Sequence, residues 1–212
     1  MTAQIDVESL RADRRNNTTF VNAQRYIQAH NVRMIDTEDI VQRHFVLERT
    51  VDPRPFIPTH NNMDESCSEI LNIQVMGLVR RLLHTHAATV VIGVSGGLDS
   101  TLALLVCIKA FDKLKLNRKN IIGVTMPGFG TTGRTYNNAM RLMENLGITI
   151  KEINISKSVL QHFEDIGHDV SVHDVTYENS QARERTQILM DLANKHNGLV
   201  VGTGDLSELA LG

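Results

Sequence analysis

The fold is decided by TVVIGVSGGLDSTLALLVCIKAF, residues 89–111. This stretch begins with an apolar run, continues through a glycine-rich loop and ends in an apolar segment of helical length. A short run that is apolar throughout is typical of a strand buried on both faces of a parallel sheet. Three further strands are predicted in NIIGVTMP, ITIKEINIS and LVVGTGD, with helical segments between them. We therefore expect an α/β protein with a doubly wound, Rossmann-like parallel sheet flanked by helices, preceded by an N-terminal linker or arm.

The loop SGGLDS, Ser95–Ser100, has the composition of a phosphate-binding loop. Gly96 and Gly97 remove the side chains that would keep a phosphate away from the backbone, and the following helix N-terminus favours an anion. Asp99 is itself negative, so its expected role is to hold a Mg²⁺ ion that bridges phosphate oxygens. The loop lacks GxxxxGK[ST], the Walker A pattern. The alternative is a tight strand-to-helix turn in which Asp99 only favours the first helical turn.

SGGxDS resembles the loop of the ATP-pyrophosphatase, or adenine nucleotide alpha-hydrolase-like, superfamily. That superfamily includes NAD synthetase, GMP synthetase, asparagine synthetase and several tRNA-modifying enzymes. The resemblance implies that an acceptor attacks the α-phosphorus of ATP, becomes adenylated and releases pyrophosphate. The implied ATP-binding residues at this loop are Gly93, Val94, Ser95, Gly96, Gly97, Leu98, Asp99 and Ser100. The loop alone does not choose among the members.

Two later segments resemble NAD synthetases. YENSQARERTQ resembles their ENxQAR stretch, which faces the deamidated dinucleotide, and implies deamido-NAD contacts by Asn179 and Arg183. GTGDLSELALG implies that Thr203 lies near the adenosine, and that Glu208 binds Mg²⁺ together with Asp99 or lies near the dinucleotide. The alternatives are a solvated helix face, on which Glu184 and Arg185 continue the charge, and a last helix capped by Asp205 or Ser207 in which Glu208 favours the first turn.

Two more stretches resemble the glutamine-dependent subgroup. MPGFGTTGRT, residues 126–135, resembles its loop beside the phosphate loop, which implies that Pro127 and Gly128 shape the adenosine site. Contacts by Thr131, Thr132 or Arg134 stay open. PRPFIP resembles the connector between an upstream glutaminase and the synthetase. Residues 1–62 are therefore expected to be the tail of that glutaminase plus a linker, and residues 63–212 a synthetase domain truncated at its C-terminus.

Local patterns give further expectations. Ser66 and Glu69 have the spacing of a capping box and predict a helix start there. Gly147 and Gly198 are predicted to end helices, and residues 165–177 to form a loop that orders over substrate, with His168 and His173 in it. Cys67 and Cys107 are interpreted as buried thiols in helices. The pair His84 and His86 is not accompanied by the carboxylates or thiols of a zinc site.

The composition of the chain indicates which classes of binding partner to expect. The 212 residues carry a net charge of −2, 4% aromatic residues and no Trp, which argues against nucleic-acid binding. The polar N-terminus and the absence of a long apolar run predict a cytoplasmic protein without membrane segments. The resemblance implies amidation of deamido-NAD to NAD with ammonia from glutamine, by a homo-oligomer that uses ATP and Mg²⁺. Asparagine or GMP synthetase chemistry, or an ATP-sensing domain without catalysis, are the alternatives.

Overall fold

A computed structural model describes residues 5–26, 33–35, 46, 50–54, 57–58, 62–129 and 133–211. The chain divides into two compact units, Met1–Ile57 and Pro58–Gly212. The first contains two helices, α1 (Val7–Asn16) and α2 (Thr18–Ala23), in a region where the sequence showed no long period. Asp6 caps α1 by accepting a hydrogen bond from the Ser9 amide at 2.9 Å, and no residue of α1 is buried. A local cap therefore stabilises a helix that the apolar pattern does not predict.

The second unit begins with α3 (Met63–Thr85) and continues as alternating strands and helices. Its sheet has four parallel strands: β1 (Thr89–Gly93), β2 (Ile121–Thr125), β3 (Thr149–Glu152) and β4 (Gly198–Val200). They lie in the order β3–β2–β1–β4, so the chain reverses its direction of travel across the sheet at β1. The helices that follow are α4 (Leu98–Leu114), α5 (Gly133–Leu146), α6 (Ser156–Ile166), α7 (Val175–Lys195) and α8 (Leu206–Leu211).

Helices cover both faces of the sheet, as predicted. On one face, Val90 and Ile92 of β1 pack with Leu104 and Phe111 of α4 and with Met143 of α5. On the other face, Val91, Ile122 and Val124 pack with Ala193 of α7. Full burial of such apolar side chains contributes about 1.5–3 kcal/mol each. Alternate residues of β1 thus serve opposite cores, which explains why the strand is apolar throughout.

Three local predictions were wrong. Helix α3 begins at Met63 with Asn62 before it and no side-chain cap, so Ser66 lies inside the helix, while Asp64 and Glu65 occupy the first turn. Helix α7 ends at Lys195, and Gly198 instead opens β4, where a Cβ would press against the Thr89 backbone. Cys67 is exposed, although it lies in a helix as expected and Cys107 is buried.

Helix α6 was not predicted, because the alternating ITIKEINIS pattern extends past the strand. Strand β3 ends at Glu152, and the Asn154 side chain then accepts a hydrogen bond from the Ser156 amide at 2.9 Å. The helix buries Val159 and Phe163. Gly147 does end α5, with φ +70°. Among the described residues, no helix has both the length and the apolar character needed to cross a membrane.

Candidate active site

The loop between β1 and α4 leaves a helix N-terminus open. Gly97 is the N-cap of α4, with extended backbone (φ −83°, ψ 172°), and no side chain among the described residues caps the helix. Gly96 has φ +86°, and a Cβ there would overlap the backbone carbonyl oxygen of Thr135. Gly96 is therefore required for the shape of the loop, because of its left-handed backbone and this close approach. Gly97 has no side chain that could cap the first turn of α4.

The two serines of the loop stabilise its shape. Ser100 is buried and donates a hydrogen bond to the Gly97 carbonyl at 3.2 Å, and its Oγ lies 3.1 Å from Ser95 Oγ. Ser95 Oγ also accepts a hydrogen bond from the Gly97 amide at 3.3 Å. Ser95 is exposed and can present its hydroxyl to a ligand. Ser100 is buried, so its hydroxyl only stabilises the loop.

A cavity of about 640 Å³ opens where β1 and β2 end. This volume is in the range of small-molecule sites, and the position outside the carboxyl ends of parallel strands beside the strand-order reversal is where such sheets bind ligands. Five of the predicted ATP-binding residues line it, together with residues that follow β2 and residues of α5 and α7. The full lining is Gly93, Val94, Ser95, Gly97, Val124, Thr125, Met126, Pro127, Thr135, Tyr136, Arg185, Leu189 and Thr203.

A second cavity, of about 430 Å³, contains Asp99 and shares Thr203 with the first. Asp99 is exposed in the first turn of α4, and no hydrogen bond or ion pair engages its carboxylate within the described part of the chain. Asp205 also lines this cavity. Leu98 is 86% exposed and lines neither cavity, so a contact with ATP would come from its backbone.

Glu208 is engaged in a reciprocal cap. Its Oε2 accepts a hydrogen bond from the Asp205 amide at 3.1 Å, and Asp205 Oδ1 accepts one from the Glu208 amide at 3.1 Å. The cap by Asp205 agrees with the alternative that the sequence offered, and the return hydrogen bond to Glu208 completes a capping box that was not predicted. Glu208 is exposed and lines neither cavity. The cap engages one carboxylate oxygen of Glu208, and the metal pair of Asp99 and Glu208 stays a prediction.

The predicted dinucleotide contacts lie on another face of α7. Asn179 and Arg183 are exposed and line an open groove of about 470 Å³ with Thr186 and Met190. Neither lines the cavity at the strand ends. The helix thus presents two surfaces, one toward solvent and one toward the phosphate loop.

Arg185 was missed by the sequence reasoning, which treated it as part of a solvated face. It is half-buried, lines the 640 Å³ cavity, and its Nε donates to the Met126 carbonyl at 3.4 Å. Desolvation lowers the pKa of its guanidinium from its usual value. A signal was present: Arg185 lies four residues before Leu189, so the two share a helix face, and Leu189 packs in the apolar core beneath the sheet.

Gln181 joins α7 to the segment after β2. It is buried, its Oε1 accepts a hydrogen bond from the Phe129 amide at 3.2 Å, and its Nε2 donates to the Tyr177 carbonyl at 3.3 Å. A Cβ on Gly128 would meet Gln181 Oε1 at 2.8 Å. Pro127 lines the cavity as expected, and Gly128 supports it through this close contact. Thr131 and Thr132 lie outside the described residues, and Arg134 is exposed.

The histidines between α6 and α7 pack on aromatic rings. The rings of His173 and Tyr177 are stacked at 4.3 Å, and His168 lies 4.9 Å from Phe163. His168 Nε2 is also 3.7 Å from Asp174, which caps α7. Within the described residues, no group of three His, Cys, Asp or Glu side chains has the arrangement of a metal site. Whether this loop closes over a substrate stays a prediction.

The pKa values of Tyr136 and Cys107 are also raised. Tyr136 donates a hydrogen bond to Glu152 at 2.7 Å at the rim of the cavity, which raises the pKa of the phenol. Burial raises the pKa of the Cys107 thiol to about 12, so that thiol stays protonated and unreactive at neutral pH.

Comparisons with known proteins identify the family. The model of the NAD synthase family matches residues 70–212. The glutamine-dependent NAD(+) synthetase of Mycobacterium tuberculosis is 43% identical over 99% of this chain and 32% of its own length. The NH(3)-dependent NAD(+) synthetase of Fusobacterium nucleatum is 31% identical over 72% of this chain and 56% of its own length.

A solved structure agrees with this assignment. Glutamine-dependent NAD+ synthetase from Acinetobacter baumannii, in complex with adenosine diphosphate, aligns with a TM-score of 0.63 and 31% identity over 68% of this chain and 27% of that one. The present chain spans about a third of the mycobacterial relatives' length (32%). The match of the family model, over well more than half of the chain, confirms the resemblance predicted from SGGLDS, ENSQAR and GTGDLSE: the chain belongs to the NAD synthase family.

Proposed function

We propose that this chain binds ATP at the β1–α4 loop and takes part in the ATP-dependent amidation of deamido-NAD to NAD. The observation that carries the proposal is the uncapped N-terminus of α4, which opens on the cavity that also contains Thr203. The A. baumannii relative, whose structure was solved in complex with adenosine diphosphate, supports a nucleotide at this fold. Names of relatives that use either ammonia or glutamine support the nitrogen chemistry.

The proposed reaction proceeds in two steps. A carboxylate oxygen of the nicotinate attacks the α-phosphorus of ATP, and the bond to the β-phosphate oxygen breaks, so that an acyl-adenylate forms and pyrophosphate leaves. Ammonia then attacks the acyl carbon and loses one proton to water, AMP departs with the electron pair of the broken C–O bond, and NAD results. The chain contributes position and charge neutralisation: the backbone N–H groups of the first turn of α4, Leu98 and Asp99, bind phosphate oxygens.

Mg²⁺ fits the residues at this site, and it would neutralise phosphate charge as pyrophosphate departs. Asp99 offers a carboxylate without a partner among the described residues, and Glu208 offers a second one, of which only Oε2 accepts the Asp205 amide. Mg²⁺ is commonly held by one or two carboxylates plus substrate phosphates, so a cluster of three protein ligands is not required.

The dinucleotide is proposed to contact Asn179 and Arg183 in the α7 groove, with Glu208 as a further contact. The planar fork of an arginine suits a phosphate of the deamido-NAD. Because the groove and the ATP cavity share no lining residue, the proposal requires the nicotinate end of the dinucleotide to extend beyond the groove to the α-phosphorus of ATP.

The organisation of the longer protein is also proposed. Residues 1–62 are assigned as the tail of an upstream glutaminase domain with a linker, and residues 63–212 as the synthetase domain. The support is the glutamine-dependent relative that aligns with 99% of the chain while being about three times as long (the chain spans 32% of it). A homo-oligomer in the cytoplasm completes the proposal, and the unpaired thiols Cys67 and Cys107 are compatible with a reducing compartment.

Product analysis tests the function. The protein that carries this chain is incubated with deamido-NAD, ATP and Mg²⁺, with ammonium and glutamine supplied in parallel. We expect NAD and AMP in equal amounts with ammonium, and also with glutamine where the glutaminase is present. Binding of ATP without AMP formation would instead support an ATP-sensing domain. Formation of AMP with another acceptor, such as aspartate, would support a different adenylating amidotransferase.

A further inference from the structure

Arg185 is a half-buried cation without a counterion among the described residues. Its Nε donates to the Met126 carbonyl at 3.4 Å, which is a long hydrogen bond, and no carboxylate in the described part of the chain forms an ion pair with it. Arg118 shows the contrast: it is paired in a fork with Asp112, at 2.8 and 2.7 Å. Arginines withdrawn from water normally have such a partner, because the charge and its five donors are otherwise uncompensated.

The position of Arg185 directs that cation toward the phosphate loop. Leu189 lies beside Gly93 at the end of β1, since a Cβ on Gly93 would be 3.2 Å from Leu189 Cδ1. Helix α7 leads directly into β4 and therefore runs against the direction of the strands. Arg185 precedes Leu189 by one turn, which places it about 6 Å further toward the carboxyl edge of the sheet. That is the level of the SGGLDS loop, and both line the same cavity.

We propose that Arg185 is a nucleotide-binding residue whose guanidinium contacts the polyphosphate of ATP, opposite the N-terminus of α4. This inference rests on the proposed function, because it takes ATP as the occupant of the cavity. A guanidinium binds phosphate oxygens through parallel N–H groups and stays protonated even when partly desolvated. The loop amides would then bind the polyphosphate from one side and Arg185 from the other, with the neutral Met126 carbonyl orienting the guanidinium plane.

The test is direct binding to the 212-residue chain, with ATP and adenosine as probes in the presence of Mg²⁺. Arg185→Gln keeps a side-chain N–H donor within reach of the Met126 carbonyl but removes the charge. We expect it to weaken ATP about 10- to 100-fold, the loss typical of one charge-assisted contact, and to leave adenosine nearly unchanged. Arg185→Lys keeps the charge without the fork and is expected to fall between wild type and Arg185→Gln.

Lys195→Ala is the matched control, because it removes an exposed cation at the other end of the same helix. It is expected to bind both probes like the wild type. Equal losses for ATP and adenosine in Arg185→Gln would overturn the inference, since they would show that Arg185 only supports the Met126 segment. Unchanged ATP affinity in Arg185→Gln would overturn it too. Failure of the wild type to bind ATP would instead remove the proposed nucleotide site itself.

Discussion

Helices α4 and α8 both begin shortly after a strand at the same edge of the sheet, but the N-terminus of α8 is capped by side chains and that of α4 is not. At α4, Gly97 is the N-cap and no described side chain covers the free N–H groups. At α8, Asp205 and Glu208 form a reciprocal capping box with two hydrogen bonds of 3.1 Å. Each free helix N-terminus presents unpaired donors and a positive dipole end. The N-terminus of α8 is capped by the carboxylates of Asp205 and Glu208, whereas the N-terminus of α4 can bind an external anion.

The capped N-terminus of α8 contributes to local stability, whereas the uncapped N-terminus of α4 is suited to bind a ligand. The cap at α8 is made by residues three positions apart, so it forms whether or not a ligand is present. At α4, Ser95 Oγ accepts a hydrogen bond from the amide of the N-cap Gly97, but neither serine nor Asp99 accepts one from the amides of the first turn. An open helix end of this kind gains its missing interactions when phosphate arrives.

The largest effect on ATP affinity is expected from a substitution that displaces the loop before α4. Gly96→Ala places a Cβ onto the Thr135 carbonyl and into a left-handed backbone, so the loop must move. We expect ATP affinity to fall by at least about 100-fold, measured by calorimetric titration. Gly147→Ala is the control: it has the same sign of φ, +70°, with nothing within 4 Å of the added Cβ. It should cost about 1 kcal/mol in the free energy of unfolding and leave ATP binding intact.

A smaller effect is expected from the free carboxylate at the open end. In Asp99→Asn we expect ATP affinity to fall about 10-fold with Mg²⁺ present, because one oxygen ligand of the ion is weakened. With EDTA the variant should bind ATP at least as well as the wild type, since a negative charge near phosphate has been removed.

Asp112→Asn is the matched control for Asp99, because it changes a carboxylate on the same helix that is paired with Arg118. It should leave the Mg²⁺ dependence of ATP binding unchanged. Tighter binding by Asp99→Asn both with Mg²⁺ and with EDTA would mean that Asp99 serves only the first turn of α4.

The smallest effect is expected at the closed end. Asp205→Ala removes the side-chain half of the cap on α8, which should cost about 1 kcal/mol of local stability. Hydrogen exchange of the Leu209 amide, which donates to the Asp205 carbonyl at 3.2 Å, should accelerate accordingly. ATP affinity should stay within measurement error of the wild type. A large loss of ATP affinity would contradict the distinction between the two helix ends.

The two helix ends also show what sequence can predict. SGGLDS predicted a phosphate loop at this helix end, because all six residues match the pattern directly after an apolar strand; the two glycines alone would fit a tight turn equally well. GTGDLSE left cap and metal ligand as alternatives, since the same carboxylates suit both, and only hydrogen-bond geometry separates them. The parallel sheet and both cores followed from buried strand patterns.

Features that depend on three-dimensional neighbours escaped the sequence reasoning. Arg185 looks like any charged residue of a helix until the face it shares with Leu189 is known. The contact between Gln181 and the Phe129 amide joins positions 52 residues apart, for which a single sequence carries no signal. Helix α6 was hidden because an alternating pattern continued past the end of β3.

Binding of ATP phosphates at the uncapped N-terminus of α4 is tested by titrating the ¹⁵N-labelled 212-residue chain with ATP and Mg²⁺ while the backbone amide resonances are followed. We expect the largest, saturable shifts at Gly97, Leu98 and Asp99, with a smaller one at Thr203. Saturable ATP binding that leaves these amides unshifted, with changes confined to the exposed α7 groove, would contradict this expectation.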